Sequence, residues 1–329
     1  MKDYNTIVIN EIIRHSQGKI NPVDYLMKMF SVSKETAYRR IRNVIPFSIE
    51  EIVAIAEDIN LSIDQMLASK SGNNFPFNKN LNVGQEPVAI YSDLIREDIE
   101  IMEGMLASKD VKITAAMNSI PFRFLPYQSL FKLDYCHYIY STGKISLMTV
   151  FSDIEVPPAV GDLHDKAVSC YGCLKDITCV VDNMLFSNTI KKIQYYRQLK
   201  FISDDDLRIF QAELFELLGK YDGLLRNGKN GSGAEYVFYY SFFNLESNII
   251  FLEYDNNTAL QMWIYPESPV LIKNNALMND IQKKWIDSKI RNSKLITKTT
   301  DVHQIEMLRE AYRQTLELMP QNPAVVSFL

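Results

Sequence analysis

The sequence has few of the residues from which metal and redox centres are built. Among its 329 residues are four cysteines and four histidines. Cys170 and Cys173 have the spacing of a zinc or redox pair, but no second cysteine pair exists and the nearby His164 does not complete a ligand set. We therefore expect the cysteines to be small buried thiols, and we expect no metal or other cofactor.

Long apolar runs are missing as well. No segment approaches the roughly 18 apolar residues of a membrane span, and the first residues, Met1-Lys2-Asp3-Tyr4, lack the apolar segment of a signal peptide. The sequence also contains no nucleophile elbow and no dinucleotide loop, and the glycines at 228–233 lack the ending of a phosphate loop. These absences predict a cytoplasmic protein that is not an enzyme and has no membrane partner.

What the sequence does contain, near its start, is a series of short amphipathic helices. Asn21, followed by proline, predicts the start of one helix, and Ser33 predicts the start of the next. Ser48, with Glu51 three residues later, forms a capping box ahead of a third apolar stripe. A helix near residues 4–15 and another after Ser62 bring the predicted number to five.

A short turn, Ser31-Val32-Ser33, separates two of these helices and is followed by the cationic helix Lys34-Glu35-Thr36-Ala37-Tyr38-Arg39-Arg40-Ile41-Arg42. The order of elements resembles that of the Cro/repressor-like (XRE-type) helix-turn-helix regulators. Residues 37–42 also resemble the same segment in a subgroup of such regulators from Bacteroidetes-type bacteria. Two positions depart from the family, since Ser31 replaces a glycine and Met27 replaces a small residue. The resemblance covers about the first fifth of the chain and implies binding to double-stranded DNA.

The resemblance also implies which residues contact DNA. The second helix of the motif would lie in the major groove, with its N-terminal side chains at base edges and flanking cations on phosphates. Helix caps could place backbone N–H groups against phosphates. The residues expected to bind DNA are Asn21, Ser33, Lys34, Glu35, Thr36, Tyr38, Arg39 and Arg42.

The charge of the N-terminal region agrees only locally with this interpretation. Residues 1–70 contain nine Lys/Arg and nine Asp/Glu, so this region is neutral as a whole. The segment from Lys19 to Arg42, however, contains six basic residues and only two acidic ones, Asp24 and Glu35, so it has an excess of four positive charges. We expect the DNA footprint in that segment.

The remainder of the chain predicts a linker and a larger C-terminal region. We assign residues 1–69 to a helix-turn-helix domain, 70–86 to a Gly/Asn/Ser-rich linker, and 87–329 to a sensor or dimerisation region with a further subdivision considered near residue 230. A long helix from Pro87 could pair with its twin or pack on its own domain.

The fold class is mainly α with an α+β part, in which a helical region leads into a small antiparallel sheet with flanking helices. Residues 160–226 are expected to be mainly helical. The turn residues at 255–258 predict an antiparallel hairpin between strands at 248–254 and 259–265.

Together these features predict a sequence-specific DNA-binding transcriptional regulator that acts as a homodimer. The C-terminal region would supply dimerisation or signal input. An effector, either a small molecule or a protein, could bind to that region. The main alternative is a protein-interaction scaffold whose helical head does not bind DNA, because charged helix faces are often only solvated surfaces. An enzyme with a DNA-binding appendage is a weaker alternative.

Overall fold

The computed structural model of the protein describes residues 4–16, 20–59, 86–141, 150–255, 257–265, 268–273, 275–299 and 302–318. The chain forms two compact units. The first unit comprises Met1–Val83 together with Asn275–Met278, and the second comprises Gly84–Asn274 together with Asn279–Leu329.

Four helices are described in the N-terminal part of the first unit: α1 (Tyr4–Ser16), α2 (Pro22–Phe30), α3 (Lys34–Ile41) and α4 (Ile49–Asp58). Helices α2, α3 and α4 begin directly after the predicted caps, because each cap side chain accepts a hydrogen bond from a backbone N–H of the first turn. The predicted helix after Ser62 lies outside the described residues, as does nearly all of the predicted linker.

The apolar stripes of these helices form one small core. Asn5 joins α1 to the chain that follows α3, because its side-chain oxygen accepts a hydrogen bond from the Phe47 N–H at 2.9 Å and its amide donates to Asn43. The buried residues of this core are Val8, Ile9, Ile12, Val23, Leu26, Ala37, Phe47 and Ile55.

The second unit is built on a seven-stranded mixed sheet with the order β6-β5-β4-β1-β2-β3-β7. Strands β1, β2 and β3 are parallel, whereas β4, β5 and β6 extend the sheet in antiparallel fashion from β1, and β7 pairs antiparallel with β3. The strands are β1 (Val111–Met117), β2 (Ile177–Val181), β3 (Tyr236–Tyr240), β4 (Ile249–Tyr254), β5 (Asn257–Tyr265), β6 (Ser268–Lys273) and β7 (Lys294–Leu295).

Helices cover both faces of this sheet. Ala115 and Cys179 belong to the large core on one face, whereas Ala116 and Val180 from the same strands pack on the other face with Trp285 of α10. Coverage of both faces is the usual arrangement for parallel strands. The described helices of this part of the chain are α5 (Pro87–Leu106), α6 (Gln128–Ser141), α7 (Pro158–Gly172), α8 (Met184–Gln198), α9 (Asp204–Asn227), α10 (Ala276–Arg291) and α11 (Val302–Leu316).

Helix α5 packs inside its own unit, which was one of the two sequence-based alternatives. Ile95 and Met105 are buried in the large core together with side chains of the sheet and of the neighbouring helices. Asp98 on the same helix is buried too, and it pairs with the Arg123 guanidinium at 2.8 Å. The helix is therefore a core element of the second unit.

The sheet differs from the small antiparallel sheet that the sequence predicts. Strand β2 lies in a stretch expected to be mainly helical, β6 was not expected, and three adjacent strands are parallel. One sheet includes strands from both sides of residue 230, so the subdivision considered there does not separate two sheets. The broader prediction, a mainly α chain with an α+β part, is confirmed, as is the β4–β5 hairpin.

The cysteines are only partly as predicted. Cys136 and Cys179 are buried, Cys170 is half-buried and Cys173 is exposed. Burial raises the pKa of the Cys136 and Cys179 thiols to about 12. Within the described residues, no group of three or more potential ligands could hold a metal ion, and no helix is both long and apolar enough to cross a membrane.

Candidate nucleic-acid interface

The turn between α2 and α3 depends on an unusual backbone conformation at Ser31. Ser31 ends α2 with φ 50° and ψ 36°, in the left-handed region. Glycine is the usual residue there, because a Cβ atom strains this conformation. Val32 then packs against the core of the first unit, and Ser33 begins α3 with extended backbone. The chain thus passes from one helix to the next within three residues.

Replacing Ser31 with glycine is expected to stabilise the turn by about 0.5–1 kcal/mol, because removal of Cβ strain outweighs the added freedom of the unfolded chain. Amide hydrogen exchange of α2 and α3 in the full chain measures this, with roughly two- to fivefold slower exchange expected. Ser33→Gly is the matched control, since Ser33 has a φ of −65° and gains nothing from glycine. If the amides of α2 and α3 exchange as fast in Ser31→Gly as in the wild type, or faster, the backbone at Ser31 is not strained by its Cβ atom.

Helix α3 has one face in the core and one in solvent. Ala37 is fully buried, and Ile41 packs against the same core from a half-buried position. Thr36, at the edge between the faces, is half-buried. The predicted contact residues on the outer face are all exposed: Lys34, Glu35, Tyr38, Arg39 and Arg42.

The two predicted caps are exposed and engaged with their own helices. Asn21 accepts a hydrogen bond from the Val23 N–H at 2.8 Å. Ser33 accepts one from the Thr36 N–H at 3.3 Å, and the two hydroxyls are 3.0 Å apart. In the first turn of α3 the N–H groups of Lys34 and Glu35 have no intrahelical acceptor, which makes that helix end suitable for anions such as phosphates. Helix α2 begins with Pro22, which has no N–H to offer.

Arg40 departs from the surface charge that the sequence indicates. Its guanidinium pairs with Glu51 of α4 and lies 5.2 Å from the ring centroid of Phe47. Burial alone would raise the pKa of Glu51, but hydrogen bonds from Arg40 and from the Ser48 N–H lower it. Arg40 therefore joins α3 to α4, and its charge is neutralised within the unit.

The cations left on the outer face are Lys34, Arg39 and Arg42, and Lys28 is exposed on α2. Lys34 and Arg39 form no ion pair with a described residue, whereas the Arg42 guanidinium lies 5.9 Å from the ring centroid of Tyr38. Lys19, which was included in the charge count, lies outside the described residues. Because Arg40 is paired with Glu51, the exposed positive charge of the described segment is smaller than the sequence count, and most of it lies on α3 and at its C-terminal end.

The sequence reasoning missed the pairing of Arg40 with Glu51. Glu51 was expected only as the acidic member of the capping box at Ser48, and it does accept the Ser48 N–H at 2.9 Å. The same carboxylate also binds Arg40, eleven residues away. Met27, the other departure from the family pattern, is half-buried and packs against the core of the first unit.

Comparisons with models of protein families, with curated proteins and with solved structures gave no match to this chain.

Proposed function

We propose that the protein is a sequence-specific DNA-binding transcriptional regulator. The observation that supports this proposal is the outer face of α3, where Lys34, Glu35, Tyr38 and Arg39 are exposed opposite a buried Ala37. An α-helix with its side chains is about 10–12 Å wide and enters the major groove of B-DNA, which is about 12 Å wide. The helix-turn-helix would place α3 there.

The proposed contacts follow from the chemistry of each side chain. Arg39 can donate two hydrogen bonds to a guanine, Lys34 can donate to guanine acceptors, and Glu35 can accept from the amino group of a cytosine. Thr36 and Tyr38 would lie beside these base contacts. Arg42 would bind a phosphate, and the first turns after Asn21 and Ser33 would offer backbone N–H groups to other phosphates.

Dimerisation and signal input are proposed for the second unit. Two copies of the helix-turn-helix would bind two half-sites about one helical turn apart, since each copy reads one face of the duplex. An effector would act by favouring one arrangement of the two copies over another. The localisation proposed for such a regulator is the cytoplasm.

A protein-interaction head is the alternative that a specific observation favours. Val44 and Ile49 follow α3 and are exposed, at 59% and 76%. Exposed apolar side chains close in sequence are typical of protein contacts, although single ones are common on any surface. The two functions can be distinguished by salt, because the affinity for DNA falls steeply as the salt concentration rises, whereas the affinity of an apolar protein contact does not.

Selection of duplex sites from a random pool with the full-length protein tests the proposal. Enrichment of a sequence with two half-sites is expected. The affinity for that site should fall about 10³-fold between 50 and 200 mM salt if a dimer neutralises roughly six phosphates. Failure to enrich any site at low salt would contradict DNA recognition and favour the interaction head.

A further inference from the structure

The second unit contains an aromatic cavity beneath α9. Its volume is about 120 Å³. Its walls come from strands β1, β2 and β3, from helices α7 and α9, and from the segment that connects β1 to α6. Pro126 and Lys220, which line it, are exposed, so the cavity reaches the surface between that segment and α9.

The walls of the cavity are suited to a flat apolar ring. Phe124 and Tyr171 stack with ring centroids 5.7 Å apart, and Tyr221 lies 5.9 Å from Phe238. An apolar cavity of roughly 150 Å³ in another protein stays dry and binds benzene. The volume here is close to that figure, so a single aromatic ring is the matching size.

One polar group in this wall is available to a ligand. Tyr127 is 2% exposed, and its buried hydroxyl oxygen interacts with the Lys220 ammonium. Because an ammonium group can only donate, the hydroxyl hydrogen has no acceptor among the described residues. Burial raises the pKa of Tyr127 against the opposing effect of Lys220, so the hydroxyl keeps its proton at neutral pH and can donate it to an acceptor. A buried donor without an acceptor costs free energy that a ligand oxygen would recover.

Charges near Tyr127 favour an uncharged ligand. The Lys220 ammonium lies 4.8 Å from the Tyr127 ring centroid, but it is already paired with Glu216 at 2.8 Å. Glu213 acts electrostatically on the same hydroxyl. A carboxylate on the ligand would therefore meet two acidic side chains and one cation that already has a partner.

We propose that this cavity binds a small uncharged aromatic compound with an acceptor oxygen, such as a phenol, whose ring lies among the aromatic walls and whose oxygen accepts the Tyr127 hydrogen bond. The site lies wholly within the second unit. Its occupation is measured without DNA, so failure of this proposal and failure of the DNA-binding proposal can be distinguished.

Calorimetric titration of the full-length protein with phenol tests the site, with toluene as the probe that lacks the oxygen. Saturable binding of phenol is expected with a Kd on the order of 1 mM, which is reasonable for so few atoms. Tyr127→Phe should weaken phenol about fivefold, the effect of one hydrogen bond, and leave toluene unchanged. Tyr135→Phe is the matched control, because Tyr135 is buried outside the cavity wall.

Two further measurements make the proposal falsifiable if one variant misfolds. Leu224→Trp, which adds an indole at the cavity wall, should abolish saturable binding of both compounds. Benzoate should bind at least about tenfold more weakly than phenol, because the acidic side chains oppose its charge. Equal phenol binding by the wild type and Leu224→Trp, no effect of Tyr127→Phe, or tighter binding of benzoate would each overturn the assignment.

Discussion

Replacement of Asp98 with alanine is expected to lower the free energy of unfolding of the second unit by about 3–5 kcal/mol, the usual cost of leaving one charge of a buried ion pair without its partner. The side chains of Asp98 and Arg123 are 4% and 5% exposed, and Arg123 Nε lies 2.8 Å from an Asp98 oxygen. The guanidinium is 5.1 Å from the ring centroids of both Phe124 and Trp263.

Urea unfolding followed by tryptophan fluorescence measures this effect, because both tryptophans of the chain, Trp263 and Trp285, belong to the second unit. Asp93→Ala on the same helix is the control. Asp93 pairs with Arg96 where both side chains are about half exposed, so its removal should cost less than about 1 kcal/mol. A loss equally small for Asp98→Ala would show that the buried pair does not stabilise the unit.

A double replacement separates the charge from the packing. Asp98→Leu combined with the substitution of Arg123 by Met removes both charges and keeps apolar volume, so much of the lost stability should return. If the double variant is as unstable as Asp98→Ala alone, packing and the hydrogen bond from Gln261 to Asp98 account for the loss. In that case the uncompensated charge is not its cause.

The helices of the first unit could be predicted from the sequence because local interactions determine where they begin. Ser33 and Ser48 each bond a backbone N–H three residues ahead, an interaction that needs no tertiary contact. Ala37 and Ile41 lie four residues apart, which is the spacing of one helix face, and both pack in the core of the first unit. Local signals of this kind are readable from sequence alone.

The sheet of the second unit was harder to predict because its strands are defined by distant partners. Strand β2 is buried on both faces, so Ile177–Val181 shows no alternation of apolar and polar residues, and its neighbours β1 and β3 are far away in sequence. Strand β6 contains Pro269, which argues against a central strand. The strand is in fact at the edge of the sheet, where proline is tolerated.

In the candidate site, too, a distant partner determines what the sequence alone does not, and two adjacent residues show it. The sequence counted Arg39 and Arg40 alike in the local excess of positive charge, although only Arg39 was among the expected contact residues. The structure places only Arg39 on the exposed face, because Arg40 reaches Glu51 on α4. A side chain this long can turn toward either face of a helix, so its tertiary partner decides between them.

These two arginines are expected to respond in opposite ways to substitution. Arg39→Ala should weaken binding to the selected duplex site about ten- to hundredfold, the cost of one bidentate base contact, and should relax preference at one base pair. It should leave the stability of the first unit unchanged, because Arg39 is exposed and forms no ion pair with a described residue.

Arg40→Ala should instead destabilise the first unit by about 2 kcal/mol, because Glu51 loses its partner at a site where the two side chains are only 13% and 21% exposed, and Phe47 loses the guanidinium against its ring. Hydrogen exchange of α3 and α4 measures that loss, and binding titrations with the selected and a scrambled duplex measure recognition. At a temperature where the Arg40 variant remains folded, it should keep its preference for the selected site. The reverse pattern, with preference lost in Arg40→Ala and kept in Arg39→Ala, would mean that α3 does not present its exposed face to the bases.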